Sequence, residues 1–193
     1  MIIRKLYEFE NAHIVRLCGS KRCRTSIHGH SYRCEILLSS NFLDEAGMVY
    51  DFGYMKLGIR ELIDSFDHAT TIYARDDASY IADLKKHSAR WVQIPLNPSA
   101  EQFCRIFFVL VDRLLSLTQM QNGEREVKLH SVIVHETDTG YAQCFRDDAY
   151  NAKMGEVNLN EVVFSEGVRA EWEDAELFEK IKLGKKIVNP KEV

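Results

Sequence analysis

The chain has 193 residues, 46% hydrophobic and 28% charged, with a formal net charge of −4. Such values suit one soluble globular domain with a sizeable core, with room for an appendage, and give no general support for nucleic-acid binding. No apolar run approaches the roughly 18 residues needed to span a bilayer, since the longest is Ile106–Val111. The N-terminal stretch MIIRKLYEFE carries charges too early and too often for a signal peptide. Five cysteines, Cys18, Cys23, Cys34, Cys104 and Cys144, are odd in number and widely spread, unlike a disulfide framework. A reducing cytoplasm is the expected setting, with no membrane and no nucleic acid as partner.

Residues 2–14 alternate loosely and read as a strand ending near His13. Residues 15–27 are polar, basic and Gly/Ser-containing, which predicts a loop of functional length. Residues 28–39 read as a second strand, antiparallel to the first. Asp51 is the expected N-cap of a helix whose apolar stripe is Met55, Ile59, Leu62, Ile63 and Phe66. Residues 67–96 read as irregular, apart from a short helix around Ser79–His87. A second long helix begins at Asn97-Pro98-Ser99, where Ser99 and Gln102 make a capping-box pattern. Val127–His135 and Tyr141–Phe145 read as two further strands, joined by a turn at Asp138-Thr139-Gly140.

The order is strand, strand, helix, helix, strand, strand. It predicts an α+β fold, an antiparallel four-stranded sheet with both helices on one face, rather than a parallel βαβ sheet. Residues 148–193 are rich in Glu, Lys and Asn, with an amphipathic helix expected at about 170–183. They read as an appendage that covers a sheet edge or meets a neighbouring subunit, behind a main domain at 1–147.

His28-Gly29-His30 is the most informative stretch. Side chains at i and i+2 of a strand share a face, so both imidazoles point the same way. His13, at the end of the pairing strand, supplies a third nitrogen. Three protein ligands with an open position is the pattern of a catalytic zinc, whereas structural zinc usually has four. Cys23 lies between Arg22 and Arg24 in the preceding loop, with Cys18 further off. A thiol there is a nucleophile or base if cations or a metal lower its pKa. Otherwise it is incidental, or the fourth ligand of a structural zinc. Asp67-His68 follows the first helix, where an acid beside a histidine can orient the imidazole for proton transfer. Glu136, at a strand end, can accept paired hydrogen bonds from an amino-substituted ring such as a pterin or guanine.

Taken in series, Phe9-Glu10-Asn11-Ala12-His13, Cys23, His28-Gly29-His30-Ser31-Tyr32, Gly47–Phe52, Phe66-Asp67-His68, Asn97–Glu101 and His135-Glu136-Thr137 resemble the 6-pyruvoyl-tetrahydropterin synthase family. That family includes the 6-carboxytetrahydropterin synthase of queuosine biosynthesis. The resemblance runs from about residue 3 to 147 and leaves the tail outside. It implies a tunnelling T-fold, a ββααββ unit, in a hexamer built as a dimer of trimers with active sites between subunits. It implies that His13, His28 and His30 hold Zn²⁺, which acts as a Lewis acid on 7,8-dihydroneopterin triphosphate. Cys23 would be the general base, Asp67 and His68 its proton relay, and Glu136 the anchor of the pterin ring. Cys18 is the alternative thiol. Lys21, Arg22 and Arg24 are candidates for the triphosphate on charge alone. The implied product is 6-carboxytetrahydropterin, with 6-pyruvoyl-tetrahydropterin and a non-catalytic structural-zinc protein as the alternatives.

Overall fold

A computed structural model describes residues 1–193. Strands β1 (Ile2–His13) and β2 (His28–Ser39) form one long antiparallel hairpin, paired from Ile2 against Ser39 to His13 against His28. Alternation decides which face each residue takes. Tyr7, Phe9, Asn11 and His13 of β1 are buried, as are Tyr32, Cys34, Ile36 and Leu38 of β2, while Glu8, Glu10 and Ser31 are exposed. The cross-strand partners Phe9 and Tyr32 stack with ring centroids 5.0 Å apart. The connection read as a loop carries a five-residue helix, α1 (Lys21–Thr25), which buries no side chain. Arg16 ties this connection down: its backbone N–H donates to Asn97 Oδ1 at 2.9 Å and its Nε to Asp76 Oδ2 at 2.8 Å.

Helix α2 (Gly58–Asp64) begins later than expected. Asp51 Oδ1 accepts the N–H of Gly53 at 2.7 Å, so it heads a 3₁₀ turn (Tyr54–Lys56) rather than the helix itself. Residues 67–96 are the larger correction. They form β3 (Ala69–Tyr73), α3 (Ala78–His87) and β4 (Trp91–Ile94), with β4 parallel to β3 and β3 parallel to the end of β1. This is a small βαβ unit where an irregular connection was expected. Asp77 caps α3 by accepting from the N–H groups of Ser79 and Tyr80.

Helix α4 (Ala100–Leu117) starts where the sequence predicts, with Ser99 Oγ accepting from the Gln102 N–H. A two-residue strand, β5 (Thr118–Gln119), follows it. β6 (Lys128–Thr137) and β7 (Gly140–Cys144) complete the ββααββ order. The tail adds α5 (Arg146–Ala149), β8 (Val163–Phe164), α6 (Glu166–Arg169), α7 (Leu177–Leu183) and β9 (Ile187–Val188). The main sheet therefore has seven strands in the order β7-β6-β2-β1-β3-β4-β8, not four. Its antiparallel part, β7-β6-β2-β1, is the expected one; the parallel extension and the tail strand β8 widen it beyond β1. α2 packs on β1, and α4 on β6 and β7.

The tail helix spans Leu177–Leu183 instead of starting near 170, and Gly184 ends it with a left-handed φ of 67°. Val162, Phe164, Val168, Trp172, Leu177, Phe178 and Ile181 join the same buried cluster as β1, β2 and α4. One buried cation fastens this segment. Arg105 of α4, 3% exposed, donates to the carbonyls of Asp148, Ala149, Asn151, Met154 and Gly155 and to Gln102 Oε1. Arg105→Leu removes a charged donor from five carbonyls at once, and hydrogen bonds to a charged group are the stronger kind. The expected loss is about 3 kcal/mol in urea unfolding, with new protease cleavage between residues 148 and 156. Unchanged stability and an intact segment would show that apolar packing alone holds the tail.

Candidate metal centre and its surroundings

The hairpin register builds the centre. His13 stands directly across from His28, and Asn11 directly across from His30. One donor atom from each of His13, His28 and His30 lies within 4.8 Å of the others. Gly29 lets the strands close here, because a Cβ at that position would sit 3.0 Å from the Asn11 carbonyl oxygen. His13 is fully buried, and Phe103 of α4 lies stacked at 6.0 Å between ring centroids.

Two of the imidazoles are oriented from behind by carbonyls. His13 Nδ1 lies 2.6 Å from the Pro98 carbonyl, which can only accept, so Nδ1 carries the proton and Nε2 offers its lone pair. Burial, with the neighbouring His28, lowers the His13 pKa to about 4. His13 is thus neutral near pH 7, the form a metal needs. His28 Nδ1 is likewise 3.1 Å from the Ser26 carbonyl. Three neutral-capable imidazoles on one point, two of them held by carbonyls, fit a borderline metal such as zinc with a position left open.

Glu136 sits where the β6–β7 register slips between His135 and Thr137. Its Oε1 accepts the Tyr32 hydroxyl at 3.2 Å and lies 3.9 Å from His30 Nε2. Tyr32 is fully buried, and its hydroxyl is pushed well above the usual phenol range by burial and then by Glu136, with Cys23 and Glu101 adding to the effect. Cys23 lies in α1, in the connection that precedes His28. Its carbonyl accepts the Val15 N–H at 3.0 Å, which folds the loop back over the hairpin end. Cys18 Sγ donates instead to the Ser20 carbonyl of its own loop at 3.3 Å. Arg24 is engaged with the Gly19 carbonyl, while Lys21 and Arg22 are exposed.

Asp67 and His68 do meet: Oδ2 of the acid is 2.9 Å from His68 Nδ1. The other oxygen, Oδ1, accepts the Glu10 N–H at 2.7 Å. Yet no hydrogen bond joins this pair to Cys23 or to the histidines within the chain. His68, 75% exposed at its side chain, borders a shallow cavity that Glu10, His30 and Ser31 also line.

The geometry agrees with what relatives show. A family model described as 6-pyruvoyl tetrahydropterin synthase matches residues 2–147. The chain belongs to the 6-pyruvoyl tetrahydropterin synthase family. A Helicobacter pylori protein named 6-carboxy-5,6,7,8-tetrahydropterin synthase is 38% identical over 182 residues, 94% of this chain and 91% of its own length. An Aquifex aeolicus protein of the same name is 29% identical over 121 residues, 61% of this chain and 73% of its own. The Helicobacter match necessarily enters the tail, which the family model does not reach. Among solved structures, an uncharacterized protein of Wolinella succinogenes aligns with a TM-score of 0.57 at 20% identity, over 76% of this chain and 98% of that one. Plasmodium vivax 6-pyruvoyltetrahydropterin synthase aligns with a TM-score of 0.56 at 21% identity over the same shares. These two establish the fold.

Asn11 is a site residue to which the sequence assigns no task. Buried to 4% exposure, its Nδ2 donates to the carbonyls of Phe66 and Ala69 at 2.8 and 2.9 Å, and its Oδ1 accepts from Thr71 Oγ1 at 2.9 Å. It thereby grips both sides of the Asp67-His68 corner, where His68 holds a φ of +48° that L-residues seldom adopt. Only tertiary contact reveals this. Asn11→Ala leaves three buried partners unsatisfied, an expected loss of roughly 3 kcal/mol in chemical denaturation. A loss below about 1 kcal/mol would mean the corner holds without it.

Proposed function

We propose that this chain is a zinc-dependent 6-carboxy-5,6,7,8-tetrahydropterin synthase, a carbon–carbon lyase. It converts 7,8-dihydroneopterin triphosphate and one water to 6-carboxytetrahydropterin, acetaldehyde and triphosphate, in the cytoplasm, as a step toward queuosine. The observation that carries this reading is the convergence of three imidazoles, His13, His28 and His30, with the Glu136 carboxylate beside them, 3.9 Å from His30 Nε2 and bonded to the buried Tyr32 hydroxyl. Its support beyond the site is the Helicobacter relative of that name, aligned over nearly the whole chain.

His13, His28 and His30 hold the metal. When bound, zinc supplies Lewis acidity toward a substrate hydroxyl and its neighbouring carbon-bound proton. Glu136 accepts from the ring N–H and amino group of the pterin and fixes its orientation. Cys23 takes the carbon-bound proton from the side chain. Asp67 holds His68 Nδ1, leaving Nε2 to carry protons. Because no hydrogen bond joins the relay pair to the thiol or the histidines of its own chain, it serves the site of a neighbouring copy. The unpaired outer edges of β7 and of β1 before Asn11 supply the means of joining copies, in the proposed hexamer of two trimers.

Product analysis tests the reaction. Acetaldehyde trapped in stoichiometric amount with 6-carboxytetrahydropterin is expected. A pyruvoyl product without carbon–carbon cleavage would establish the sibling reaction instead.

Two inactive variants test the assembly of the site. Cys23→Ala and His68→Ala are each expected to lower kcat by at least about a hundredfold with one zinc per chain retained. After subunit exchange between them, activity reappears, since some mixed sites hold an intact thiol and an intact relay. Loss of zinc with the thiol would make Cys23 a structural ligand. Failure of the mixture to recover would place the relay within its own chain.

A further inference from the structure

The corner that carries Asp67 and His68 is gripped from two directions. Helix α2 ends at Asp64 and β3 begins at Ala69, so residues 65–68 make the turn, with His68 at its left-handed φ of +48°. Asn11 takes the carbonyls of Phe66 and Ala69. Two more carbonyls go to Arg90, on the short link between α3 and β4. Its Nη2 donates to the Asp64 carbonyl and its Nε to the Asp67 carbonyl, each at 3.1 Å. The Arg90 carbonyl in turn accepts the Thr70 N–H at 3.1 Å. One residue thus holds the backbone on both sides of His68.

Arg90 is itself seated by the tail. Its Nη1 lies 2.6 Å from Glu171 Oε2. The adjacent Trp172 is buried and donates from Nε1 to Ser65 Oγ, within the corner, at 2.9 Å. Glu61 Oε1 of α2 accepts the Glu173 N–H at 2.9 Å. Next to Arg90, the Ser165 N–H donates to the Trp91 carbonyl at 3.0 Å, and Ser165 Oγ accepts the Trp91 N–H at 3.1 Å. Gly167 permits this approach, since a Cβ there would lie 2.5 Å from the Ala89 carbonyl oxygen. The segment 165–173 therefore lies against both the Arg90 link and the end of α2.

We infer that Arg90 is a positioning residue for His68, and that the tail segment Ser165–Glu173 serves the site by seating it. The side chain of His68 is 75% exposed, so its direction comes from Asp67 and from the backbone beneath it. A non-glycine residue at positive φ persists only where its surroundings over-determine it. A guanidinium fork does this for two carbonyls at once, with a rigidity that a lysine lacks. A relay imidazole needs such precision, because small misplacements of a reacting group are costly.

The inference rests on His68 being the proton relay, and the experiment separates the two. Arg90→Lys keeps the charge without the fork, and Trp172→Phe keeps an aromatic ring without the Nε1 donor. Each is made in the full chain, alone and combined with His68→Ala, and kcat, KM and zinc content are measured. Alone, Arg90→Lys is expected to lower kcat about tenfold and Trp172→Phe about threefold, with KM changed by less than about twofold and one zinc per chain retained. Added to His68→Ala, neither lowers kcat by more than about 1.5-fold further, because an absent imidazole cannot be misaimed. Hydrogen exchange reads the corner without turnover. In Arg90→Lys, the Glu10 amide and the amides of residues 66–70 exchange at least about fivefold faster, while those of Tyr32–Leu38 in the hairpin core are unchanged. Losses of kcat that persist undiminished beside His68→Ala, or faster exchange throughout the hairpin, make these residues general stabilisers and overturn the inference. Wild-type kcat in both variants also overturns it, and Trp172→Phe decides alone should Arg90→Lys not fold. Full activity of His68→Ala by itself overturns the relay reading instead, and exchange then decides whether Arg90 holds the corner.

Discussion

Register in the β1–β2 hairpin is the constraint on which the site depends. His13 faces His28 across the strands, and every side chain on both strands takes its face from that pairing. A slip of one residue would send His13, Asn11 and Phe9 to the open face and bring Glu10 and Glu8 inward. The slip is prevented by the same alternation that builds the core. Phe9, Tyr32, Cys34, Ile36 and Leu38 have nowhere to go but under α2 and α4. Apolar burial of the hairpin's middle thus aligns the imidazoles at its end, a transfer of stability from packing to chemistry. Gly29 completes the arrangement, since a Cβ there would crowd the Asn11 carbonyl oxygen at 3.0 Å.

His13 shows how the helix layer finishes what the hairpin begins. An unpaired neutral imidazole in a dry interior would be costly, and two strands cannot supply its partner. Pro98 does so, from the extended residue pair that leads into the Ser99 cap of α4. The start of α4 is therefore tied to the ligand, and the capping serine does more than begin a helix. Asn97 repeats the theme by holding the Arg16 N–H, which brings the Cys23 loop over the same end of the sheet. Three consecutive residues, Asn97 to Ser99, position loop, ligand and helix.

Long periodic segments were legible in the sequence: β1, β2, α4 and β6 lie close to where alternation and capping place them, and short β7 was legible through the turn that joins it to β6. The His-x-His pair was legible for the same reason, because period 2 is a local property. β3 and β4 were not. Each is five residues or fewer, and their parallel partners lie far along the chain, so no turn signal marks them. Asp51 misled because a capping acid is equally at home in a 3₁₀ turn. The tail misled by composition. Its many charges conceal a few apolar residues, among them Phe164, Trp172 and Phe178, that are buried in the common core. Within the site, the contact of Asp67 Oδ2 with His68 Nδ1 joins neighbours in sequence, whereas the contacts of Asn11, Pro98 and Tyr32 run between elements and leave no local mark.

The hairpin's two faces serve different ends, and Asp67 stands at their boundary. Toward the helices lie the imidazoles, Tyr32 and Glu136. On the opposite face the strands carry a polar ladder, with Glu35 held by Arg4 and His135 at 2.8 Å each and Ser31 donating to Glu10 at 2.8 Å. That face is ordered but uncovered. Along β1, pairing with β3 stops at Asn11, and the next outward N–H, that of Glu10, is taken by Asp67 Oδ1. The acid thus ends the sheet's own pairing at the point where the free edge of β1 begins. Its second oxygen holds His68. A copy that pairs with this edge would meet the imidazole at the first step past the closed ladder. Edge termination and imidazole orientation are two halves of one carboxylate's work.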